Sequence, residues 1–335
     1  MADAEPPEDR GPAHFTREQL EQVILGEPPV LTSIDVASAA GVTVEQARRL
    51  WRALGFPDAG EQPAFNEADL SALSTLIGTV ESGAIDFDTA VRMTRAVGQT
   101  MARLADWQVA TLAPRVEELE AGPEATGSRL GSAVRLAEQV GVPFERLLIY
   151  SWRRHLAAAV GRVEALGAAD EDLSTTEVTV GFADLVSFTA LSNEMHEDRL
   201  ADMVEIFESR CADVVAGRHG RVIKTLGDSV LFIADDPVKA LNIAFDIVGV
   251  IGNDSRLPDV RLGLATGSVI MRLGDVFGPP VNLAARLTGV ARRNRVIVDH
   301  ATATRLPESR FDTRPLPARP VRGFGLVEPV AARRR

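Results

Sequence analysis

The spacing of apolar residues changes once along this chain, and that change indicates the broad architecture. Up to about residue 167, apolar side chains such as Val97, Met101 and Leu104 recur at helical spacing. From Thr175 onward the segments are β-branched and strand-like, with helices between them. An acidic stretch over residues 168–174 separates the two patterns. The sequence therefore predicts a helical domain over residues 14–172 and an α+β domain over residues 173–332.

The second domain is expected to place helices on one face of a mainly antiparallel sheet. A strand that begins at Thr175 ends on Asp184, and a helix opens after Pro279 and Pro280, because proline is tolerated in a first turn. The other predicted helices cover residues 194–216 and 237–251. The other predicted strands lie within residues 221–232, 260–269, 295–298 and 311–330.

The first domain starts with a pattern typical of a helix-turn-helix, over residues 32–51. Gly41 is expected in the turn, and Thr43 is expected to cap the second helix. The segment resembles the start of winged-helix domains, and residues 66–70 extend that resemblance. DNA binding would put Arg48, Arg49 and Arg52 on phosphates. The surrounding half is acid-rich and offers no basic stripe, which favours a helical packing module instead.

The rest of this half is predicted as two long helical stretches. They cover residues 76–122 and 128–167, and the second is expected to be interrupted at residues 141–143, Gly-Val-Pro. Residues 1–13 are polar and proline-rich, which predicts a disordered tail.

Composition restricts the class of protein. The 335 residues carry a formal net charge of −11, which argues against a broad surface for nucleic acid or anionic membrane. A single cysteine, Cys211, excludes an internal disulfide and a cysteine-based zinc site. No apolar run reaches the length of a membrane span, and the acidic start is not a signal peptide. We expect a soluble cytoplasmic protein.

The segment over residues 221–232 reads as two short strands joined by a tight Gly-Asp turn. It displays Asp228 at the tip, four residues after Lys224. Lysine is rare in this chain, since only Lys224 and Lys239 occur. A compact ammonium group suits a single acceptor atom, but a hairpin with an ordinary turn aspartate remains equally open.

Three pairs of polar residues suggest chemistry in the second domain. Asp184 and Asp228 lie at strand ends that could be neighbours, and paired carboxylates leave coordination sites on Mg²⁺ for substrate phosphates. Lys224 and Asp275 offer a donor and an acceptor for the edge of a nucleotide base. Asn282 and Arg286 are four residues apart on one predicted helix and therefore share a face. Each residue alone has an ordinary structural explanation.

The second domain resembles the catalytic domain of class III nucleotidyl cyclases over about residues 175–330. The matching stretches are residues 182–189 (FADLVSFT), 223–228 (IKTLGD) and 274–287 (GDVFGPPVNLAARL). All six catalytic positions of the family are filled, in order. The resemblance implies a ferredoxin-like, palm-type domain.

The resemblance also implies roles for individual residues. Asp184 and Asp228 correspond to the metal-binding aspartates, and Lys224 with Asp275 to the pair that reads adenine. Asn282 and Arg286 correspond to the pair that orients the ribose and stabilises charge on the α-phosphate. The backbone of Phe188 and Thr189 would hold phosphates, the Leu185 carbonyl would add a metal ligand, and Arg322 would contact phosphate or else hold the strand rim. Ser187 stands where many relatives have glycine.

The reaction implied is conversion of ATP to 3′,5′-cyclic AMP and pyrophosphate with two Mg²⁺ or Mn²⁺ ions per site. In this family the aspartates come from one subunit and the other two pairs from its partner, which implies a homodimer with two shared sites. Two other functions are compatible with parts of this pattern: a nucleotide-binding module that signals through the helix-turn-helix, and a guanylyl cyclase. The intact set of six residues disfavours the first, and Lys224 with Asp275 disfavours the second.

The first half resembles the helical regulatory domain that precedes some soluble mycobacterial-type cyclases, of which some respond to pH. A switch helix over residues 150–166 is expected to feed into the strand at Thr175. His155 is a candidate pH sensor, because an unperturbed imidazole titrates near physiological pH, although a histidine among arginines commonly just faces water. A lipid or another small molecule is a candidate ligand of the helical half.

Overall fold

The computed structural model describes residues 15–123, 125–165, 175–272 and 274–335. These residues form two compact units, one that ends at Ala165 and one that begins at Thr175. The predicted tail over residues 1–13, the acidic stretch at 168–174 and the expected domain boundary at 172/173 lie outside the described residues. The two units are considered separately below.

The first unit is helical, as predicted. Its helices are α1 (Arg17–Leu25), α2 (Ser33–Ala39), α3 (Val44–Leu54), α4 (Glu67–Glu81), α5 (Phe87–Ala121) and α6 (Arg129–Ala165). The predicted helix-turn-helix is confirmed, because Gly41 takes φ +71° in the turn and the Thr43 side chain caps α3. Trp51 stacks on Phe65 with ring centroids 4.1 Å apart, in a core built mainly from α2, α3 and α4.

Two predictions for this unit were wrong. The stretch 76–122 is not one helix, because the chain turns after Glu81 at Gly83, which has φ +75°, and restarts with Asp86 as the cap of α5. Conversely, α6 runs without a break through Pro143. Pro143 has no N–H to donate to the Gln139 carbonyl, and the helix continues in spite of that loss.

The second unit contains an eight-stranded sheet and a two-stranded ribbon. The large sheet has the order β2-β3-β1-β4-β6-β10-β7, with β5 paired to β4, and every pairing except β4–β6 is antiparallel. The predicted α+β class with a mainly antiparallel sheet is confirmed. The strands are β1 (Thr175–Leu185), β2 (Arg221–Thr225), β3 (Ser229–Ala234), β4 (Val260–Arg272), β5 (Asp275–Phe277), β6 (Val296–Val298), β7 (Phe311–Pro315), β8 (Arg319–Val321), β9 (Gly325–Val327) and β10 (Val330–Arg334).

Helices cover both faces of this sheet, not one face as predicted. They are α7 (Phe188–Glu194), α8 (Glu197–Gly217), α9 (Pro237–Gly252), α10 (Pro279–Val290) and α11 (His300–Ala303). Because side chains alternate along a strand, Val230 and Phe232 pack with α8 and α9, whereas Leu231 and Ile233 belong to the cluster that includes Ala284 of α10. The order of helices and strands along the chain indicates an α+β class, but it does not show which face of the sheet each helix covers.

Gly263 on β4 lets α10 lie close against the sheet. A Cβ atom at this position would clash with the backbone of Ala284 and Thr288. The Thr288 hydroxyl donates to the Ala284 carbonyl at 2.9 Å, so this part of α10 meets the strand through its main chain. The close approach fixes the helix that carries Asn282 and Arg286.

Candidate active site

The structure brings Asp184 and Asp228 together at one end of the sheet. Asp184 pairs in register with Ser229, the first residue of β3, and the Leu185 N–H donates to the Asp228 carbonyl at 2.9 Å. The hairpin turn is the predicted tight one: Gly227 takes φ +74°, and the Leu226 N–H donates to the Ser229 carbonyl at 2.8 Å. Side chains alternate along β1, so Asp184 lies on the opposite face of the sheet from Ala183 and Leu185. The face with Asp184 is the one that α10 covers.

Two residues that sequence reasoning missed hold the Asp184 carboxylate. The Ser229 hydroxyl donates to Oδ1 at 2.6 Å, and Arg261 Nε donates to Oδ2 at 2.7 Å. Arg261 is directly opposite Asp184 in the β1–β4 register. The only sequence signal was its position at the start of a predicted strand, which does not reveal the partner strand.

The carboxylate pair is suited to a divalent cation. Burial, followed by the neighbouring Asp184 carboxylate, raises the pKa of Asp228 above its ordinary value. A cation between the two groups would offset both effects, because it favours the ionised form of each. Among the residues that the structure describes, no group of three or more Asp, Glu, His or Cys side chains could hold a metal. Other ligands would therefore have to come from backbone, water or substrate, as is usual for Mg²⁺.

The turn that follows β1 is strained at Ser187. This residue takes φ +63° and ψ +23°, a left-handed conformation that glycine adopts at lower cost. Phe188 and Thr189 are the first residues of α7, so the helix itself offers no acceptor for their N–H groups. The predicted phosphate-binding turn thus has backbone donors beside the carboxylate pair. Leu185 is buried, and its side chain is part of the core.

Lys224 and Asp275 form an ion pair within one chain. Lys224 Nζ donates to Asp275 Oδ2 at 2.6 Å, although the residues come from β2 and β5 and are 51 positions apart. Both side chains remain partly exposed, at 37% for Lys224 and 28% for Asp275. A donor and an acceptor therefore stand side by side where a ligand can reach both.

Asn282 and Arg286 lie one turn apart on the exposed face of α10. They line an open groove together with Arg322, Gly323 and Phe324 from the β8–β9 connection. No hydrogen bond or ion pair joins the side chain of Asn282, Arg286 or Arg322 to any other described residue. The groove therefore presents two guanidinium groups and an amide to solvent.

The structure thus gathers the predicted residues into separate groups within one chain. Over the described parts of the second unit, no hydrogen bond or ion pair joins Asp184 or Asp228 to Asn282 or Arg286. The Asp184 carboxylate bonds instead to Ser229 of β3 and Arg261 of β4.

The arginines of the helix-turn-helix are engaged by carboxylates. Arg49 donates to Asp88 at 2.6 Å and Arg52 donates to Glu45 at 2.6 Å, while Arg48 lies 3.7 Å from Asp58. Phosphate contacts would have to displace these partners. The arrangement favours the packing role over DNA binding. His155, the candidate sensor, is exposed on α6.

The described helices include none that is both long enough and apolar enough to cross a membrane.

The sequence is similar to a protein family and to several known adenylate cyclases. Residues 171–330 match the family model described as the adenylate and guanylate cyclase catalytic domain. An adenylate cyclase from Streptomyces coelicolor is 42% identical over 95% of this chain and 89% of its own length. An adenylate cyclase from Streptomyces griseus is 39% identical over 95% of this chain and 88% of that protein. A pH-sensitive adenylate cyclase from Mycobacterium tuberculosis is 30% identical over 79% of this chain and 67% of its length.

Proposed function

This chain belongs to the adenylate and guanylate cyclase family, and we propose that it is an adenylate cyclase. It converts ATP to 3′,5′-cyclic AMP and pyrophosphate, as a phosphorus–oxygen lyase. The observation that carries the proposal is the Lys224–Asp275 ion pair at 2.6 Å, in a domain that also holds the paired carboxylates and the Asn282–Arg286 face. A donor beside an acceptor matches the amino group and ring nitrogen of adenine.

Asp184 and Asp228 would hold two divalent cations, Mg²⁺ or Mn²⁺, with the Leu185 carbonyl as a further ligand. When bound, such ions make the ribose 3′-hydroxyl easier to ionise and offset the charge of the triphosphate. Arg261 and Ser229 act as positioning residues, because their hydrogen bonds fix both oxygens of Asp184.

The remaining groups, from the backbone and from side chains, bind and orient the nucleotide. The N–H groups of Phe188 and Thr189 donate to phosphate oxygens. Asn282 fixes the ribose for in-line attack on the α-phosphorus. Arg286 then meets the charge that develops on the α-phosphate, and Arg322, in the same groove, donates to the phosphates.

The active unit is a homodimer. The carboxylates and the Asn282–Arg286 face are not bonded to one another within one chain, and each site would combine the carboxylates of one copy with the face of the other. A two-fold axis then generates two equivalent sites.

The first test is ATP turnover by the purified chain with Mg²⁺ or Mn²⁺, with GTP as competitor. We expect cyclic AMP, little cyclic GMP, and no product from the Asp184→Ala variant. Preferred use of GTP would support the guanylyl cyclase alternative. A well-folded dimer that turns over neither nucleotide with either metal would contradict an enzymatic role altogether.

Arg286→Ala tests the assigned transition-state role. We expect kcat to fall by about 10²–10³-fold, the scale for loss of one donor to developing charge, with a much smaller change in KM. Arg199→Ala, at an exposed position on α8, is the matched control and should leave both constants unchanged. A rise in KM at constant kcat would show that Arg286 only binds substrate.

We also propose that the helical unit regulates the catalytic unit. One relative is a pH-sensitive adenylate cyclase, and exposed His155 on α6 is the candidate sensor here. Its neighbours in the sequence include aromatic and cationic residues: Tyr150, Trp152, Arg153 and Arg154. Turnover of the full chain and of residues 170–335 should be compared across pH. An inhibitory unit predicts higher or pH-independent turnover of the fragment, and His155→Ala should flatten the profile of the full chain.

We also propose a cytoplasmic location. Use of ATP and a free Cys211 thiol fit a reducing, cytoplasmic setting.

The helical unit has an apolar groove that could bind a small apolar molecule or a lipid. The groove is lined by Leu25, Phe56, Met93 and Val97.

A further inference from the structure

The turn between α10 and β6 displays three exposed arginines, Arg292, Arg293 and Arg295. The Arg295 N–H donates to the Arg292 carbonyl at 3.1 Å, which closes the turn. Asn294, at φ +55°, anchors it to the start of β4: its main-chain N–H donates to the Val260 carbonyl at 2.7 Å. The Asn294 side chain also donates to Asp259 at 2.7 Å. The three guanidinium groups are therefore carried by a fixed turn.

These arginines line an open cleft together with Arg261 and Val186, which we name the arginine cleft. Arg261 connects the cleft to the proposed metal site, because its guanidinium group is bonded to Asp184. Among the described residues, Arg292 and Arg295 have no carboxylate partner, and Arg293 is only loosely paired, at 3.9 Å from Asp259. The cleft therefore has positive charge that the protein does not neutralise.

The charge of the cleft favours a small phosphate compound. Guanidinium groups match phosphate oxygens in geometry and charge. A net charge of −11 repels an extended polyanion such as nucleic acid from the molecule as a whole, whereas a small anion experiences mainly the local charge.

From this arrangement we propose that the arginine cleft binds inorganic pyrophosphate as it leaves the active site. The proposal rests on the proposed function, since it identifies the anion as the product released beside Asp184. Pyrophosphate held there is displaced from the carboxylates but remains bound to the protein. The cleft thus provides the first step of product release and a site for product inhibition.

The test is calorimetric titration of the full chain with sodium pyrophosphate in the presence of EDTA, so that no metal ion contributes. The test variant is Arg292→Gln/Arg293→Gln/Arg295→Gln. The control, Arg199→Gln/Arg314→Gln/Arg319→Gln, removes the same charge from exposed positions elsewhere. We expect the test variant to bind about tenfold more weakly or worse, and the control to change by less than about twofold. Thermal unfolding should verify that both variants are folded.

Equal weakening in the two variants would mean that only the overall field attracts the anion, which overturns the proposal. Absence of metal-free binding by the unmodified chain overturns it as well. ATP turnover provides a separate readout, in which the test variant should need about tenfold more pyrophosphate for half-inhibition. If the unmodified chain binds pyrophosphate in this pattern but never turns over ATP, the proposed function fails and the anion site stands. If turnover is normal and binding does not distinguish the variants, the cleft fails and the cyclase stands.

Discussion

Single side chains at the end of β1 show how the protein orients one carboxylate of the candidate site. One carboxylate oxygen of Asp184 accepts a hydrogen bond from Ser229 and the other accepts one from Arg261. The Asp184 side chain is only 14% exposed. A partly buried carboxylate that is fully hydrogen-bonded is held in one orientation. Asp228, beside it, has its pKa raised by burial and by Asp184. Protein groups therefore hold the Asp184 carboxylate, and a cation bound between the two carboxylates would relieve their repulsion.

The strained backbone of Ser187 leads to a stability prediction. A left-handed conformation costs a residue with a Cβ atom about 1–2 kcal/mol, and glycine loses part of that gain through entropy of the unfolded chain. We expect Ser187→Gly to raise the free energy of unfolding by about 0.5–1 kcal/mol in urea titrations. Ser187→Ala, which keeps the Cβ atom, is the control and should give no gain. Destabilisation by glycine would show that the Ser187 side chain makes a contribution the backbone conformation does not explain.

Cys211 predicts a distinct dependence on pH. Burial, with a smaller contribution from Glu208, raises the pKa of its thiol to about 12. The folded-state pKa lies above that of the unfolded chain, so the contribution to stability is intact below about pH 8.5 and declines as pH rises toward 12. We expect a thiol reagent at pH 8 to label Cys211 only after unfolding in urea. Rapid labelling of the folded protein would contradict the burial, and Cys211→Ser gives the blank.

At the scale of elements, the position of α10 decides whether Asn282 and Arg286 face the groove. The helix begins at Pro279 and Pro280 and lies against β4 where Gly263 leaves room for it. Pro280 also contacts the position of Gly267, where an added Cβ atom would lie 2.9 Å from its ring. The two glycines of β4 therefore set the separation between helix and strand.

Gly263→Ala should push α10 away from the sheet. We expect a loss of about 1–3 kcal/mol in the free energy of unfolding, the usual scale for overpacking, together with lower kcat because the Asn282–Arg286 face moves. Gly289→Ala is the matched control, since a Cβ atom there meets nothing within 4 Å and the residue lies inside α10. The control should be neutral or stabilising by up to about 1 kcal/mol. If both variants behave alike, close approach at Gly263 is not what positions the helix.

Several elements were predictable from the sequence because their signals are local. The Gly-Asp turn at the hairpin, the proline-led start of α10 and the Thr43 cap of α3 each depend on neighbouring residues only. The Arg261–Asp184 pair was not predictable, because it joins strands through a register between residues 77 apart. The second helical layer was missed for a similar reason: alternation shows that a strand has two faces but does not show what covers each. The continuity of α6 through Pro143 was not predictable either, because proline is a local helix-breaking signal and tertiary context can override it.

At the scale of the whole molecule, the two units differ in the residues that they contain. The second unit contains every residue assigned to chemistry, and the first contributes ion-paired arginines and an exposed histidine. The six assigned side chains do not close into one bonded cluster within a single copy, so activity is proposed to require a second copy.

Mixing two inactive variants tests this composite site most directly. Asp184→Ala removes the carboxylate half of each site, and Arg286→Ala removes the opposite half. If each site is shared between two copies, an equal mixture contains mixed dimers with one intact site, and turnover should recover to about one quarter of the unmodified protein. Each variant alone, at the same total concentration, should stay at its own low level. A mixture no more active than the mean of its two components, under conditions where subunits exchange, would contradict the shared site.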